Sequence, residues 1–206
     1  MNKIAEMYAQ ADTFASYAKL YTARLAEVLD GLNGQSLTQA METLEAARAD
    51  GRTIYVIGNG GSAALASHLV NDLVAGAYLE GRPAFRAFAL SDNISTVTAI
   101  ANDCGYENIF LHHLKVHLKP EDVVLAMSVS GNSPNILRAL TYARSHGAKT
   151  IGMCGFTGGK MATLCDILIH VETTPDEYGP VEDIFGILGH MLSGFLAMKQ
   201  GKALHH

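Results

Sequence analysis

The feature that most constrains this chain is a rhythm. A short apolar run, a glycine- or serine-rich turn and an amphipathic stretch follow one another again and again from residue 53 onward. The runs TIYVIG (53–58), AFRAFAL (84–90), DVVLAMS (122–128), KTIGMCG (149–155) and DILIHVE (166–172) are short and mostly apolar, the first of them β-branched, and read as strands. Between and after them, residues 62–75, 92–103, 134–146, 158–165 and 181–199 read as helices. Strand and helix in alternation predict an α/β domain: a doubly wound, mostly parallel sheet with helices on both faces. Ahead of it, residues 3–30 carry apolar side chains at helical spacing, and a second helix runs from about Leu37 to Ala49. This N-terminal helical arm (1–50) is expected to belong to the same domain and to serve oligomerisation. Residues 51–200 form the ligand-binding body. Residues 201–206 read as a tail, with His205 and His206 as a tag remnant.

Charge and composition narrow the partners. A net charge of -5 gives no bulk attraction to nucleic acid or acidic lipid. The apolar runs fall short of a membrane span, and the N-terminus has no signal-peptide core, so a cytoplasmic chain with neither membrane nor nucleic-acid partner is expected. Cys104, Cys154 and Cys165 are odd in number and form no CxxC, which suits free thiols in a reducing compartment. With 49% hydrophobic and only 17% charged residues, further apolar surface should be buried between subunits.

Two loops stand at strand ends, where ligands bind in such sheets. One is Gly58-Asn59-Gly60-Gly61-Ser62; the other is Ser128-Val129-Ser130-Gly131-Asn132-Ser133, just before Pro134. Each opens a helix, so each presents unpaired N–H groups at the positive end of a helix dipole. Glycine allows close approach, and serine adds neutral donors, so both suit a phosphate or a row of sugar hydroxyls. Neither is a Walker A loop, and the first lacks the dinucleotide fingerprint, so no nucleotide cofactor is expected. Taken alone, GNGGS is also what a plain βα turn looks like. His68 and Asp72 could be a simple i, i+4 helix pair, and His190 in ILGHML a core histidine. His112, His113 and His117 lie on an amphipathic stretch and mark an exposed or interface face.

GNGGSA followed by SVSGNSPN resembles the sugar isomerase (SIS) fold, which is flavodoxin-like. LSDN (90–93), TAIANDCGYENIF (98–110), GGKMA (158–162) and ILGHML (187–192) resemble the phosphoheptose isomerases. The resemblance runs from about Ile4 to Lys199. It implies an aldose–ketose isomerase that converts sedoheptulose 7-phosphate to D-glycero-D-manno-heptose 7-phosphate through an enediol, for heptose of lipopolysaccharide or capsule. It also implies a homotetramer, or a dimer, with active sites between subunits. Alternatives are an isomerase of another phosphosugar, or a non-catalytic sensor or scaffold of the same fold, including a replication-initiation type.

The same resemblance assigns the site. Ser128, Ser130 and Ser133, with backbone of Gly131 and Asn132, would hold the phosphate. Asn59, Gly60, Gly61 and Ser62 would face the sugar, and Asp92 with Asn93 its hydroxyls. His68, Asp72, Glu182 and His190 would form one divalent-metal site per active site, with zinc the expected ion. Asp72 and His190 are the expected base and acid of the proton transfer. The family pattern has glutamate where Asp72 stands, glutamine at Glu182, threonine at Val129 and arginine at Gly76. These departures shorten a carboxylate, add a charge, and remove a hydroxyl and a cation that Arg82 or Arg86 would have to replace.

Overall fold

The computed structural model describes residues 2–203; the tag expectation for His205 and His206 lies outside them. The arm is α1 (Lys3–Gln10), α2 (Phe14–Asp30) and α3 (Gly34–Ala49). The body follows as β1 (Thr53–Gly58), α4 (Gly60–Asn71), β2 (Arg86–Ala89), α5 (Ile94–Cys104), α6 (Ile109–His117), β3 (Val123–Ser128), α7 (Pro134–Ser145), β4 (Lys149–Cys154), β5 (Ile167–His170) and α8 (Tyr178–Lys199). Every strand pair is parallel, in the order β2-β1-β3-β4-β5.

That order places a topological switch between β1 and β3. The chain leaves β1 toward one sheet edge and leaves β3 toward the other, so their C-terminal loops open a crevice between them. The register sets Gly58 beside Met127 and Ser128 beside Cys154, which brings both sequence-predicted loops to one end of the sheet.

Strand alternation explains the two helical layers. Ile54, Val56, Val123, Leu125 and Met127 face one core with Leu44 of α3, Leu69 of α4 and Phe185 and Leu188 of α8. Tyr55, Ile57, Val124 and Ala126 face the other, with Ile100 of α5, Phe110 and Leu114 of α6 and Ile136 and Leu140 of α7.

The helix expected over 3–30 is divided. Thr13 adopts extended backbone, its Oγ1 accepts from the Ser16 amide at 3.1 Å, and Ser16 Oγ accepts from the Thr13 amide at 3.0 Å. This reciprocal cap starts a new helix in a stretch whose apolar spacing alone reads as continuous. At α4 the ladder widens: Asp72–Gly76 forms a π-helical turn, closed by the Ala77 amide on the Asp72 carbonyl at 2.7 Å.

α2 is tied to the start of α8. Arg24 donates from Nε to Glu177 Oε1 at 2.7 Å and from Nη2 to Oε2 at 3.1 Å. The Thr174 amide and hydroxyl donate to the same carboxylate at 2.7 and 2.9 Å. Burial alone would raise the fully buried Glu177 carboxyl; the bonds from Arg24 and Thr174 together bring it below the usual carboxylate range. Tyr21 Oη donates to Asp183 at 2.6 Å.

The 22 residues of α8 are long and apolar enough to cross a membrane by length and composition, with a mean hydropathy of 1.3 over the most apolar window. The apolar residues are interleaved with Glu182, Asp183 and His190, so no single run shows it. Val181, Ile184, Phe185, Leu188, Leu192 and Leu196 are instead buried against the protein's own core.

Candidate active site

α4 and α8 lie side by side, and a polar seam follows their contact. Ser62 meets Glu182 at one end, His68 and Asp72 meet His190 and Ser193 in the middle, and the π turn meets the residues after α8 at the other. Sequence offsets along the seam stay close to constant, as for two helices running parallel with equal rise.

The middle of the seam concentrates the chemistry. Nε2 of His68 and Nε2 of His190 are 2.8 Å apart, so one imidazole donates and the other accepts. Asp72 Oδ2 is 3.5 Å from the His68 nitrogen and 3.9 Å from that of His190. Ser193 Oγ donates to the same Asp72 oxygen at 3.4 Å. The three ligand atoms lie within 4.8 Å of one another and border a cavity of about 700 Å³. Asp72 reaches this position because it is four residues after His68 and opens the π turn, a helical irregularity common at functional sites.

Glu182, expected as a fourth member, stands apart from this group. It lies two helical turns before His190, on the order of 12 Å along α8. There it accepts from Ser62 Oγ at 3.1 Å. Its carboxylate lies over Gly61, where any β-carbon would collide with it. A side chain at Gly61 would push the end of the Glu182 side chain aside, a proximity that the glycine motif alone does not disclose.

Glu182 also borders the second cavity, about 220 Å³, with Asn59, Ser62, Ser128, Ser130, Ser133 and Tyr178. Ser128 Oγ and Ser133 Oγ are 3.3 Å apart, so two of the predicted phosphate hydroxyls converge. Gly131, at φ +62°, sits against the carbonyl of Gly158 with no room for a side chain. The Met161 amide donates to the Gly131 carbonyl at 3.1 Å and the Lys160 amide to Asn132 Oδ1 at 3.1 Å. The serine loop is thus clasped by the turn after β4. Among the described residues, no lysine or arginine lines this seat.

The other predicted residues are placed as follows. Asn59 exchanges two amide bonds with Asn135, at 3.0 and 2.8 Å, and receives the Tyr106 hydroxyl at 3.0 Å. Gly60 supplies the positive φ, +55°, that opens α4. Asp92 accepts from Ser67 Oγ, beside His68. Asn93 caps α5, its Oδ1 taken by the Thr96 amide at 3.1 Å. Of the two candidate replacement cations, Arg86 lines a separate cavity along β2 with His113 and His117, and neither it nor Arg82 borders the His68–His190 cavity.

Sequence reasoning missed Asn135, Tyr178, Ser193 and Lys202. Asn135 directly follows Pro134 in the serine motif, so its place in the first turn of α7 was readable. Tyr178 stands edge-on to Phe156, ring centroids 4.9 Å apart, at the rim of the serine seat; nothing in the sequence pairs them.

The family model for the SIS domain matches residues 16–155. The chain is 42% identical to the phosphoheptose isomerase of Rhodospirillum rubrum over 149 residues, 72% of this chain and 77% of that protein. It is 34% identical to that of Aneurinibacillus thermoaerophilus over 93% of this chain and 91% of that protein. Its structure is similar to that of a phosphoheptose isomerase from Francisella tularensis, with a TM-score of 0.81 and 25% identity over 91% of this chain and 97% of that one.

Proposed function

Because this chain belongs to the SIS domain family and, within it, to the phosphoheptose isomerases, we propose that His68, Asp72 and His190 move the proton that the reaction requires. The protein is an isomerase acting on a phosphosugar, interconverting sedoheptulose 7-phosphate and D-glycero-D-manno-heptose 7-phosphate. The observation that carries the site reading is the convergence of two imidazoles and one carboxylate from α4 and α8 on one cavity.

In this reading the phosphate sits on Ser128, Ser130 and Ser133 and the N–H groups of Gly131 and Asn132, at the positive end of α7. Asn59 and Ser62, which border the serine seat, face the sugar with Gly60 and Gly61, whereas Asp92 borders the cavity along β2. Asn93 contributes by fixing the start of α5. The isomerisation moves one proton between the first two carbons. Asp72 takes it from the carbon, and His190 exchanges a proton with the neighbouring oxygen. His68 holds the His190 ring in position through the bond between their Nε2 atoms.

The donor set also fits a divalent ion. Tetrahedral zinc with Zn–N bonds of about 2.0–2.1 Å separates two nitrogens by roughly 3.3 Å. The 2.8 Å between His68 and His190 needs only a small spreading of the rings to match it. His68, His190 and Asp72 would hold the ion and leave a position open, as catalytic sites do. When bound, it supplies Lewis-acid polarisation of the substrate carbonyl. Glu182 acts instead at the sugar side of the serine seat, an adjustment of its expected role as a ligand.

A homo-oligomer, a tetramer by family resemblance, is supported by Met191, Phe195 and Met198, exposed on α8 around His190. Cytoplasmic residence is supported by the three free cysteines. The test is turnover: the purified protein is incubated with sedoheptulose 7-phosphate, and the aldose is followed by NMR after chelation and after zinc is restored. Formation of the heptose in either state supports the reading. Tight binding of the sugar without turnover in both states would refute it.

A further inference from the structure

We propose that Lys202 is a substrate-contacting cation of the His68–Asp72–His190 cavity. The inference rests on the site reading above and adds a residue from outside the helices. α8 ends in a Schellman turn. The Gly201 amide, at φ +88°, donates to the Met198 carbonyl at 2.9 Å, and the Lys202 amide reaches back to the Ala197 carbonyl at 3.1 Å. The turn reverses the chain and lays the Lys202 side chain across the π turn after α4.

The ammonium is anchored there. Nζ donates to the carbonyl of Gly76 and, at 3.3 Å, to that of Ala75. An ammonium has three donors, so two bonds to backbone leave one for a ligand. Lys202 borders the same 700 Å³ cavity as His68, Asp72, His190 and Ser193. Among the described residues it is the one lysine or arginine on that wall, and Asp72 the one carboxylate.

The charge arithmetic gives the ligand chemistry. A sugar phosphate brings about -1.5 to -2 charges at neutral pH. Proton removal beside a carbonyl adds a developing oxygen anion. The serine seat answers with neutral donors alone. With the phosphate at the serine seat, at the far end of the seam, Lys202 supplies the positive charge for the anionic oxygen that develops at the reacting carbons. A backbone-anchored ammonium needs little reorganisation to do so.

The test compares Lys202→Met, Lys202→Arg and Asp72→Asn in sedoheptulose 7-phosphate turnover, with melting temperature recorded for each. The expected result is a loss of about 10²-fold in kcat/KM for Lys202→Met at unchanged melting temperature, with partial recovery in Lys202→Arg. A loss expressed chiefly in kcat supports contact with the reacting oxygen; a loss confined to KM would contradict it. Lys202→Met within twofold of the parent, while Asp72→Asn is inactive, would overturn the role of Lys202 alone. A loss that tracks a fall in melting temperature and is not recovered by arginine would overturn it in favour of a purely structural staple. Full activity in Asp72→Asn would remove the site reading and this proposal with it.

Discussion

The Nε2 atoms of His68 and His190 lie 2.8 Å apart, although 122 positions separate them in the chain. In that hydrogen bond one Nε2 donates and the other offers its lone pair. Such a pair can exchange one proton or share one ion, and the carboxylate of Asp72 lies beside it, 3.5 and 3.9 Å from the two nitrogens.

Glu182 puts a carboxylate at the serine seat, where a phosphate is expected. Replacing it as Glu182→Gln keeps an acceptor for Ser62 and removes the repulsion. At the partial exposure of this seat the repulsion is on the order of 1 kcal/mol. The expected outcome is a KM several-fold lower at low ionic strength, with the gain shrinking as salt is added. Steady-state kinetics at two salt concentrations check it.

Gly131 is predicted to tolerate no side chain. Gly131→Ala places a β-carbon on the Gly158 carbonyl and adds the roughly 1–2 kcal/mol of left-handed backbone. The serine loop must then part from the turn after β4. KM is expected to rise by an order of magnitude or more, and the melting temperature to fall by a few degrees, roughly 2–4 °C per kcal/mol for a chain of this size. Calorimetry and kinetics on one variant measure both.

Arg24 neutralises a carboxylate that is wholly buried at the start of α8. Arg24→Met leaves Glu177 charged and unpaired, which costs about 3–5 kcal/mol. Arg24→Met with Glu177→Gln should recover much of that loss. The Glu177 carboxyl is lowered on folding, so its contribution is present above its unfolded pKa and disappears as pH falls through the folded value. Thermal melts between pH 7 and pH 3 should therefore converge for parent and double variant at the acid end.

The cysteines should react unequally. Burial pushes the thiols of Cys154 and Cys165 up to about 12, while Cys104 is exposed on α5. A thiolate-selective reagent is expected to modify one cysteine per native chain rapidly and the other two only on unfolding.

Much of this was legible in the sequence, for identifiable reasons. All five strands were readable because each is a short run with turns on both sides, and buried parallel strands leave little else. The two loops proposed to bind the substrate followed from glycine and serine at strand ends. The break at Thr13 was hidden because its cap rests on Thr13 and Ser16 within a continuous apolar spacing. The position of Glu182 was hidden for a different reason. Eight residues along a helix nearly restore the face but shift it by two turns, so Glu182 and His190 share a side of α8 without sharing a site. Lys202 fell in a segment read as a tail, because a Schellman turn that folds the chain back over another helix leaves only Gly201 as its trace.

The central claim is that Asp72, held between His68 and His190, moves the proton of the isomerisation. It is tested most directly by turnover of sedoheptulose 7-phosphate in D2O, with the aldose and its deuterium content followed by NMR for the parent and for Asp72→Asn. The account predicts heptose carrying solvent deuterium at the second carbon in the parent, and a rate at least about 10²-fold lower in Asp72→Asn. An Asp72→Asn rate within a factor of two of the parent, with the same deuterium content, would contradict it.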